Sequence, residues 1–467
     1  MLSSVPKSLR RVWRALPVVA ALLARVAAHA GPDDYAGTLP EDYLPELKPI
    51  LLAALKSPRV ISRELEIAQS EAHVIGVDSQ RLPNVFGHLD YVYNQTAISG
   101  NSATENRDSG ALYGLAVSQP LFHWGALANQ SAVARIEVAI AEKNFAETYR
   151  LVAVDLRQRY LGLIVKKAAL RHSRLGLPQA ESDLKYAKDE LKLGNRSPNA
   201  VAAQQLGFDE ASLGLAHAEA EFAGLRRSFA RIAGMDDLTE DAIPLEIAKP
   251  VYASGAAAGL VARLQSDGAK STLEAQIHEA QIHQADLNYK IANVRLRPNI
   301  NAGASLDQEN TTNATTNSVL QQSVARQMAI VTMQWSIFDG LATKGLRLEA
   351  LNSKRLHEHE LKKSTQETVD RAQELQGQIE MAARALDQAE THRLLAAGEL
   401  TKAKEENGLG NVSTRIVADR TRDLYFWEAN STGARATLLS QWAELVSLAG
   451  LDPVLNNLPS NYVRETR

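Results

Sequence analysis

The chain contains no cysteine. That absence removes disulfides, zinc-cysteine centres, thiol nucleophiles and lipid attachment through an amino-terminal cysteine. Aromatic residues are scarce at 5%, while hydrophobic residues reach 45%, so Ala, Leu and Val carry most apolar positions, as in long packed helices. Neither sign of charge dominates. The 51 Lys and Arg against 54 Asp and Glu leave a net charge of −3, without the basic footprint of a nucleic-acid binder, and no nucleic-acid partner is expected. After the amino terminus no run approaches the ~20 apolar residues of a membrane helix. Any membrane contact would therefore be made by strands. There is no phosphate-cradling glycine loop and no catalytic constellation, so neither an enzyme nor a bound cofactor is expected.

The first thirty residues read as a secretory signal peptide. Lys7, Arg10, Arg11 and Arg14 form a basic start, LPVVAALLA follows, and Ala28-His29-Ala30 fits a small-x-small cleavage site. Arg25 shortens the apolar run.

What is present in abundance is self-similarity. Phe122 in PLFHWG and Phe338 in SIFDG stand 216 residues apart (338 − 122), as do Gly194 in KLGNRS and Gly410 in GLGNVS, and Gly234 in IAGMD and Gly450 in LAGLD. Pro83 in RLPN and Pro298 in RPN are separated by 215 (298 − 83). Four landmarks in one order at nearly one offset predict a duplication. The halves span 42–235 and 257–452, joined by a linker over 236–256 and followed by a tail over 453–467.

Each half opens on an approach helix, roughly 42–78 and 257–295, and then changes to period two, the mark of a strand. Val85, Gly87, Leu89, Tyr91 and Tyr93 share one face, with Phe86, His88, Asp90, Val92 and Asn94 on the other. Tyr113, Leu115, Val117 and Leu121 share a face on the return strand. In the second half Ile300, Ala302, Ala304 and Leu306 alternate with polar residues, and Ala329, Val331, Met333, Trp335 and Ile337 follow on the return. The hairpins are placed at 83–122 and 298–338, with the polar stretches 94–109 and 307–322 as exposed loops. Tyr91, Tyr93 and Trp335 read either as membrane-interface anchors or as packing against neighbouring strands.

After each PLF or SIF the period becomes 3.6. Phe145, Tyr149, Val152, Leu156, Tyr160 and Leu163 form a helical stripe, continued at heptad spacing by Leu170, Leu177, Leu184 and Leu191. Helical pairs are expected over 125–233 and 341–449, each folding back at a Gly-Asn turn. Pro178 predicts a kink or break near 176–178. Pro120, Phe122 and Gly125 in one half, and Phe338 and Gly340 in the other, mark the joints from strand to helix, with Pro120 ending the strand ladder.

Four strands of about 10 to 14 residues cannot close a membrane barrel, which starts at about eight. Two chains would give eight strands and a filled lumen, three would give twelve and room for a pore. With the hairpins, the SQPLF and SIFDG joints, the two LGN-plus-Ser turns and the terminal AGM and AGL, the chain resembles the TolC family of outer-membrane efflux and secretion channels over roughly 42–452. The resemblance implies an α+β membrane protein: helical hairpins forming an α-barrel, and four transmembrane strands per protomer completing a twelve-stranded barrel in a homotrimer. It implies a passive exit duct in the outer membrane of a Gram-negative-type bacterium, with a periplasmic extension. Its partners would be outer-membrane lipid, a periplasmic adaptor protein and an inner-membrane transporter, in a tripartite efflux pump or a type I secretion system. It puts Gly194, Asn195, Arg196, Ser197, Gly410, Asn411, Val412 and Ser413 at the adaptor contact. Ile416 and Asp419 fall at the positions of a constricting periplasmic gate. Only one of the two is acidic, and a solvated helix face beside Arg415 and Arg420 explains Asp419 equally well. The rival reading is a periplasmic coiled-coil structural or adaptor protein without a pore. No metal site is expected: in HEHE, His357 and His359 point to different sides of a helix, and His278 and His283 are five apart.

Overall fold

The computed structural model describes residues 39–99, 104–253, 255–315 and 318–463. The signal segment expected at 1–30 lies outside the described residues. The elements are α1 (Pro40–Tyr43), α2 (Leu47–Ala53), α3 (Pro58–Ser79), β1 (Asn84–Ile98), β2 (Thr104–Phe122), α4 (Ala126–Lys192) and α5 (Pro198–Ala233). Then come α6 (Ala256–Ser266), α7 (Leu273–Val294), β3 (Asn299–Thr315), β4 (Ser318–Gln334), α8 (Ala342–Gly408), α9 (Thr414–Leu448) and α10 (Ser460–Val463). Short 3₁₀ turns lie at Ala54–Lys56 and Pro453–Asn457. The order of two strands followed by a long and a shorter helix recurs. Both long helices have 67 residues, and the shorter ones have 36 and 35.

Several expectations need correction. The approach segments are not single helices. Pro45 and Pro58 interrupt the first, because the residue before a proline is pushed out of the α region, and 267–272 interrupts the second. Within the polar stretches expected as loops, 94–98, 104–109, 307–315 and 318–322 are strand; the rest of those stretches, apart from Ser99, lies outside the described residues. Their Thr residues suit a pleated backbone, and the ladder runs unbroken from Asn84↔Ser118 to Ile98↔Thr104 and from Asn299↔Gln334 to Thr315↔Ser318. The strands therefore reach 15, 19, 17 and 17 residues. Strand β4 ends at Gln334, so Trp335 and Ile337 lie beyond it. Pro120 does not end the ladder: it pairs with Asn301, the register shifts, and Phe122 pairs with Ile300. One extra residue in a bulge accommodates the missing proline donor. Pro178 lies inside α4 without breaking it.

Contact density separates two compact units. One comprises the described residues up to 58, with 149–269 and 368–458; the other comprises 59–148, 270–367 and 459 onward. Helices α4 and α8 contribute residues to both.

The second unit holds the sheet, antiparallel in the order β1-β2-β3-β4. Residues directly opposite in register share a side. Val85, Leu89 and Tyr91 thus line up with Val117, Tyr113 and Ala111, and the same side continues through Ala304 and Leu306 to Ala329 and, by Ala302, to Val331. The other side carries His88, Asp90, Asn94, Asp108, Asp307 and Arg326. One row across this polar side is His88↔Gly114↔Asp307↔Arg326. His88 Nε2 reaches Asp307 Oδ1 at 3.7 Å over the intervening Gly114. A Cβ there would stand 2.5 Å from that carboxylate oxygen and 2.7 Å from the Leu306 carbonyl, so the row requires glycine. The sheet's apolar side is open in the single chain: Leu89, Tyr91 and Val331 are 75%, 75% and 68% exposed.

The first unit is a helical core. The stripe of α4 is buried from Tyr149 through Val152, Leu156 and Tyr160 to Leu163. Leu260, Val261 and Leu264 of α6, Leu375 and Ile379 of α8, and Leu438, Trp442 and Leu445 of α9 form one apolar cluster. Two buried ion networks sit in this unit. Arg157, fully buried, donates to Glu41 at 2.9 and 2.6 Å and to Asp452 at 2.6 and 2.9 Å. Burial opposes its charge, but the two carboxylates prevail and raise its pKa. Arg435 of α9 donates to Glu390 of α8 and to the Ile247 carbonyl, while Ser431 donates to the same carboxylate at 2.6 Å. Burial works against Glu390 ionisation, yet Ser431, Arg435 and Arg393 bring its pKa down to about 2.

Candidate functional site: helical turns and strand-helix joints

Helices α4 and α5 meet at Gly194–Ser197, and α8 and α9 at Gly410–Ser413. The two turns are built alike. Gly194 and Gly410 both have φ +78, the left-handed conformation in which a side chain would strain the backbone. Asn195 N–H closes onto the Glu190 carbonyl at 3.0 Å and Asn411 N–H onto Glu406 at 2.9 Å, a Schellman closure that satisfies otherwise orphaned carbonyls. Ser197 then caps α5, accepting from Ala200 N–H at 3.3 Å, with Pro198 as the first helical residue. In the second turn Asn407 Nδ2 donates to the Val412 carbonyl at 2.8 Å. Arg196 and Val412 are half-buried; the other six turn residues are exposed. Sequence reasoning overlooked Leu193 and Leu409, whose side chains stand 71% and 76% exposed beside the glycines. The repeated Leu-Gly-Asn was the available signal.

Beyond the second turn, Ile416 is 41% exposed, and half-buried Asp419 accepts a hydrogen bond from Gln179 Nε2 of α4. Arg415 pairs with Asp183 at 3.3 Å, and Arg420 with Glu399 at 3.2 Å and Asp423 at 3.3 Å. The start of α9 is thereby tied to 179–183 of α4. An open groove of about 800 Å³ runs between them, lined by Leu175, Tyr186, Arg415 and Arg422 among others.

The joints are also matched. After β2, Phe122 packs edge-on against Trp124 at 4.8 Å, and Trp124 (φ 54) and Gly125 (φ 80) swing the chain into α4. After β4, Gly340 (φ 66) and Leu341 (φ 72) do the same for α8, and Asp339 Oδ2 accepts from Thr343 N–H at 2.9 Å and Thr343 Oγ1 at 2.6 Å. Those Thr343 bonds hold the Asp339 carboxyl below its ordinary pKa, reinforced by Arg295. Phe122 and Phe338 remain 47% and 76% exposed. Both joints converge on the segment before β3: Trp124 Nε1 donates to the Pro298 carbonyl at 2.8 Å and Trp335 Nε1 to Leu296 at 3.1 Å. Periodicity carries no trace of these contacts, which join residues 174 and 39 apart.

Residues 50–234 match the family described as outer membrane efflux protein. Most of the chain superposes on solved channels of this kind. The fold is that of the outer membrane efflux channels. The CmeC outer membrane channel of Campylobacter jejuni aligns at TM-score 0.68 and 12% identity, covering 87% of this chain and 86% of that one. The outer membrane protein VceC of Vibrio cholerae aligns at 0.63 and 12%, over 88% and 97%. The open-state MtrE outer membrane channel of Neisseria gonorrhoeae aligns at 0.63 and 14%, over 86% and 88%. No curated protein matches the chain in sequence. In this channel fold the hairpin sheet and the paired long helices are the parts that sequence periodicity anticipated. The histidine segments, set aside one at a time, meet in space: His278 of α7 lies beside His357 and Glu360 of α8.

Proposed function

We propose that the chain is one of three protomers of an outer-membrane duct, the passive exit of a tripartite efflux pump or type I secretion system. The observation that carries this reading is the four-stranded sheet whose end strands, β1 and β4, pair on one side only, with β2 and β3, and have no strand on their outer edges within the described chain. An open edge in lipid leaves backbone donors and acceptors unsatisfied at several kcal/mol each, so each β1 must pair with a β4 of another copy. Three copies give twelve strands and a lumen; two would give eight and a filled interior. The apolar side then faces lipid, and the row of His88, Asp307 and Arg326 faces the lumen. Only ~9–11 residues of a tilted strand are needed to cross, so the polar ends of the hairpins extend beyond the bilayer as paired strand. The exposed apolar side chains of the paired helices, including Leu206, Leu213, Leu394 and Leu395, pack against neighbouring protomers in an α-barrel.

In this reading residues 1–30 direct export, the turns at 194–197 and 410–413 meet a periplasmic adaptor, and Leu193 and Leu409 supply its apolar contact. An inner-membrane transporter supplies the energy. Asp419 and Ile416 line the periplasmic constriction, where three carboxylates would attract cations. No catalysis and no cofactor enter.

The absence of native cysteine makes the strand pairing directly testable. Within one chain β1 and β4 are separated by two intervening strands, about 14 Å at the usual strand spacing, beyond the ~7 Å reach of a disulfide. Tyr91→Cys is combined with single cysteines scanned from Val324 to Val331. A register of cross-links that yields dimers and closed trimers on oxidation is expected. Monomers throughout the scan would rule the shared barrel out and favour a periplasmic coiled-coil protein.

A further inference from the structure

We infer that His278, His357 and Glu360 form a binding site for a divalent transition-metal ion of the zinc class, clamping α7 to α8. The site lies within one chain and goes beyond the channel reading, so it holds whether or not three copies assemble.

His357 and Glu360 are three apart on α8 and share a face. His278 comes from the facing helix α7. Glu360 Oε2 stands 2.9 Å from His357 Nδ1 and 3.8 Å from His278 Nδ1, and one ligand atom from each residue falls within 4.8 Å of the others. A tetrahedral ion with bonds of about 2.0–2.2 Å needs its ligand atoms roughly 3.3–3.5 Å apart. The 2.9 and 3.8 Å separations bracket that value and the third lies within 4.8 Å, so the site closes by side-chain rotation. Imidazole nitrogen with carboxylate oxygen suits Zn²⁺ and Cu²⁺, whereas Mg²⁺ and Ca²⁺ favour oxygen alone. The side chains of His278, His357 and Glu360 are 18%, 23% and 39% exposed. The pocket is thus open enough for entry and for water as a fourth ligand. In the absence of an ion His278 Nδ1 is hydrogen-bonded with Gln281 Oε1 at 3.0 Å; on binding, the ion takes the place of that amide. His359 is exposed and outside the cluster, as is His283, and both serve as internal controls.

The test uses full-length protein without a histidine tag, stripped with chelator and titrated with Zn²⁺ by calorimetry. One Zn²⁺ per chain is expected, with a rise in the thermal midpoint as bound ion stabilises the folded state. Loss of an outer-shell partner weakens metal sites by about 10–100-fold, so His278→Ala, His357→Ala and Glu360→Gln should each cost at least about tenfold. His283→Ala and His359→Ala should leave the affinity unchanged. With Cu²⁺ as probe, electron paramagnetic resonance should report two imidazole nitrogens in the parent protein and one in His357→Ala. Zn²⁺ uptake that persists in the His278→Ala/His357→Ala double variant, or no uptake by the parent protein, would overturn the assignment and leave a simple His–Glu hydrogen bond.

Discussion

Replacing Arg157 with Met tests the helical core at its most sensitive point. The guanidinium makes four charge-assisted bonds of 2.6–2.9 Å to Glu41 and Asp452; its own side chain and that of Asp452 are 0% exposed, and that of Glu41 is 9% exposed. These contacts join residues 116 and 295 apart in sequence, tying Glu41, near the start of the described chain, and Asp452, just after α9, to α4. Methionine fills much the same volume but leaves two carboxylates facing each other without a counter-charge. Breaking a buried pair in this way costs about 3–5 kcal/mol, because desolvated charge is left uncompensated. The triple change Glu41→Gln/Arg157→Met/Asp452→Asn removes the charges together and should recover most of that loss, since an apolar or neutral replacement of a whole network is often close to neutral. Arg157→Lys retains the charge but not the planar two-edged fork, and should fall between. The assay is denaturant unfolding of detergent-solubilised protein followed by tryptophan fluorescence, read with limited proteolysis near residue 41. A loss below about 1 kcal/mol in Arg157→Met, or a triple variant no better than the single one, would refute the assigned role.

Other perturbations bear on separate parts. Glu390, lowered from its ordinary 4.5 to about 2, should contribute about 3 kcal/mol at neutral pH. Because its folded pKa is depressed, this stability is fully present above about pH 4.5 and lost as pH falls toward 2. Glu390→Gln should flatten that part of a stability–pH curve, and an unchanged slope would contradict it. Gly114→Val should disrupt the sheet, since even a Cβ would meet oxygen atoms at 2.5 and 2.7 Å; a sharp fall in assembled protein is expected, whereas normal yield would show that the row across His88 and Asp307 is loose. If Asp419 lines a periplasmic constriction as proposed, Asp419→Ala should reduce cation block and cation selectivity of single channels in planar bilayers. Unchanged conductance properties would reject a gate role for Asp419.

The fold was legible wherever periodicity is strong. The step from Phe145 to Leu163 marked a helix whose stripe is buried, and the alternation from Val85 to Tyr93 marked a strand with one apolar side. The Gly194 and Gly410 turns were readable because left-handed backbone at a helix end favours glycine. Legibility failed where backbone pairing outweighs side-chain pattern. In 94–98, 104–109, 307–315 and 318–322 the ladder continues through Thr, Asn and Gln with no buried face to announce it. Pro178 misled because a single proline, for all its local cost, does not end a helix of 67 residues. Long-range partners left no local signal at all: the Arg157 network, the two tryptophan bonds to the segment before β3, and the meeting of His278 with Glu360 depend on how elements pack. Neither histidine segment alone has metal-ligand spacing, so only the packing of α7 on α8 brings them together.

The most direct measurement is electrophoresis of the outer-membrane fraction, with and without heating, from cells expressing the full chain. A trimeric channel is predicted to appear in that fraction as a band three chains in size that collapses to the monomer on heating. A monomer recovered in the soluble periplasmic fraction, with nothing retained in the membrane, would contradict the channel.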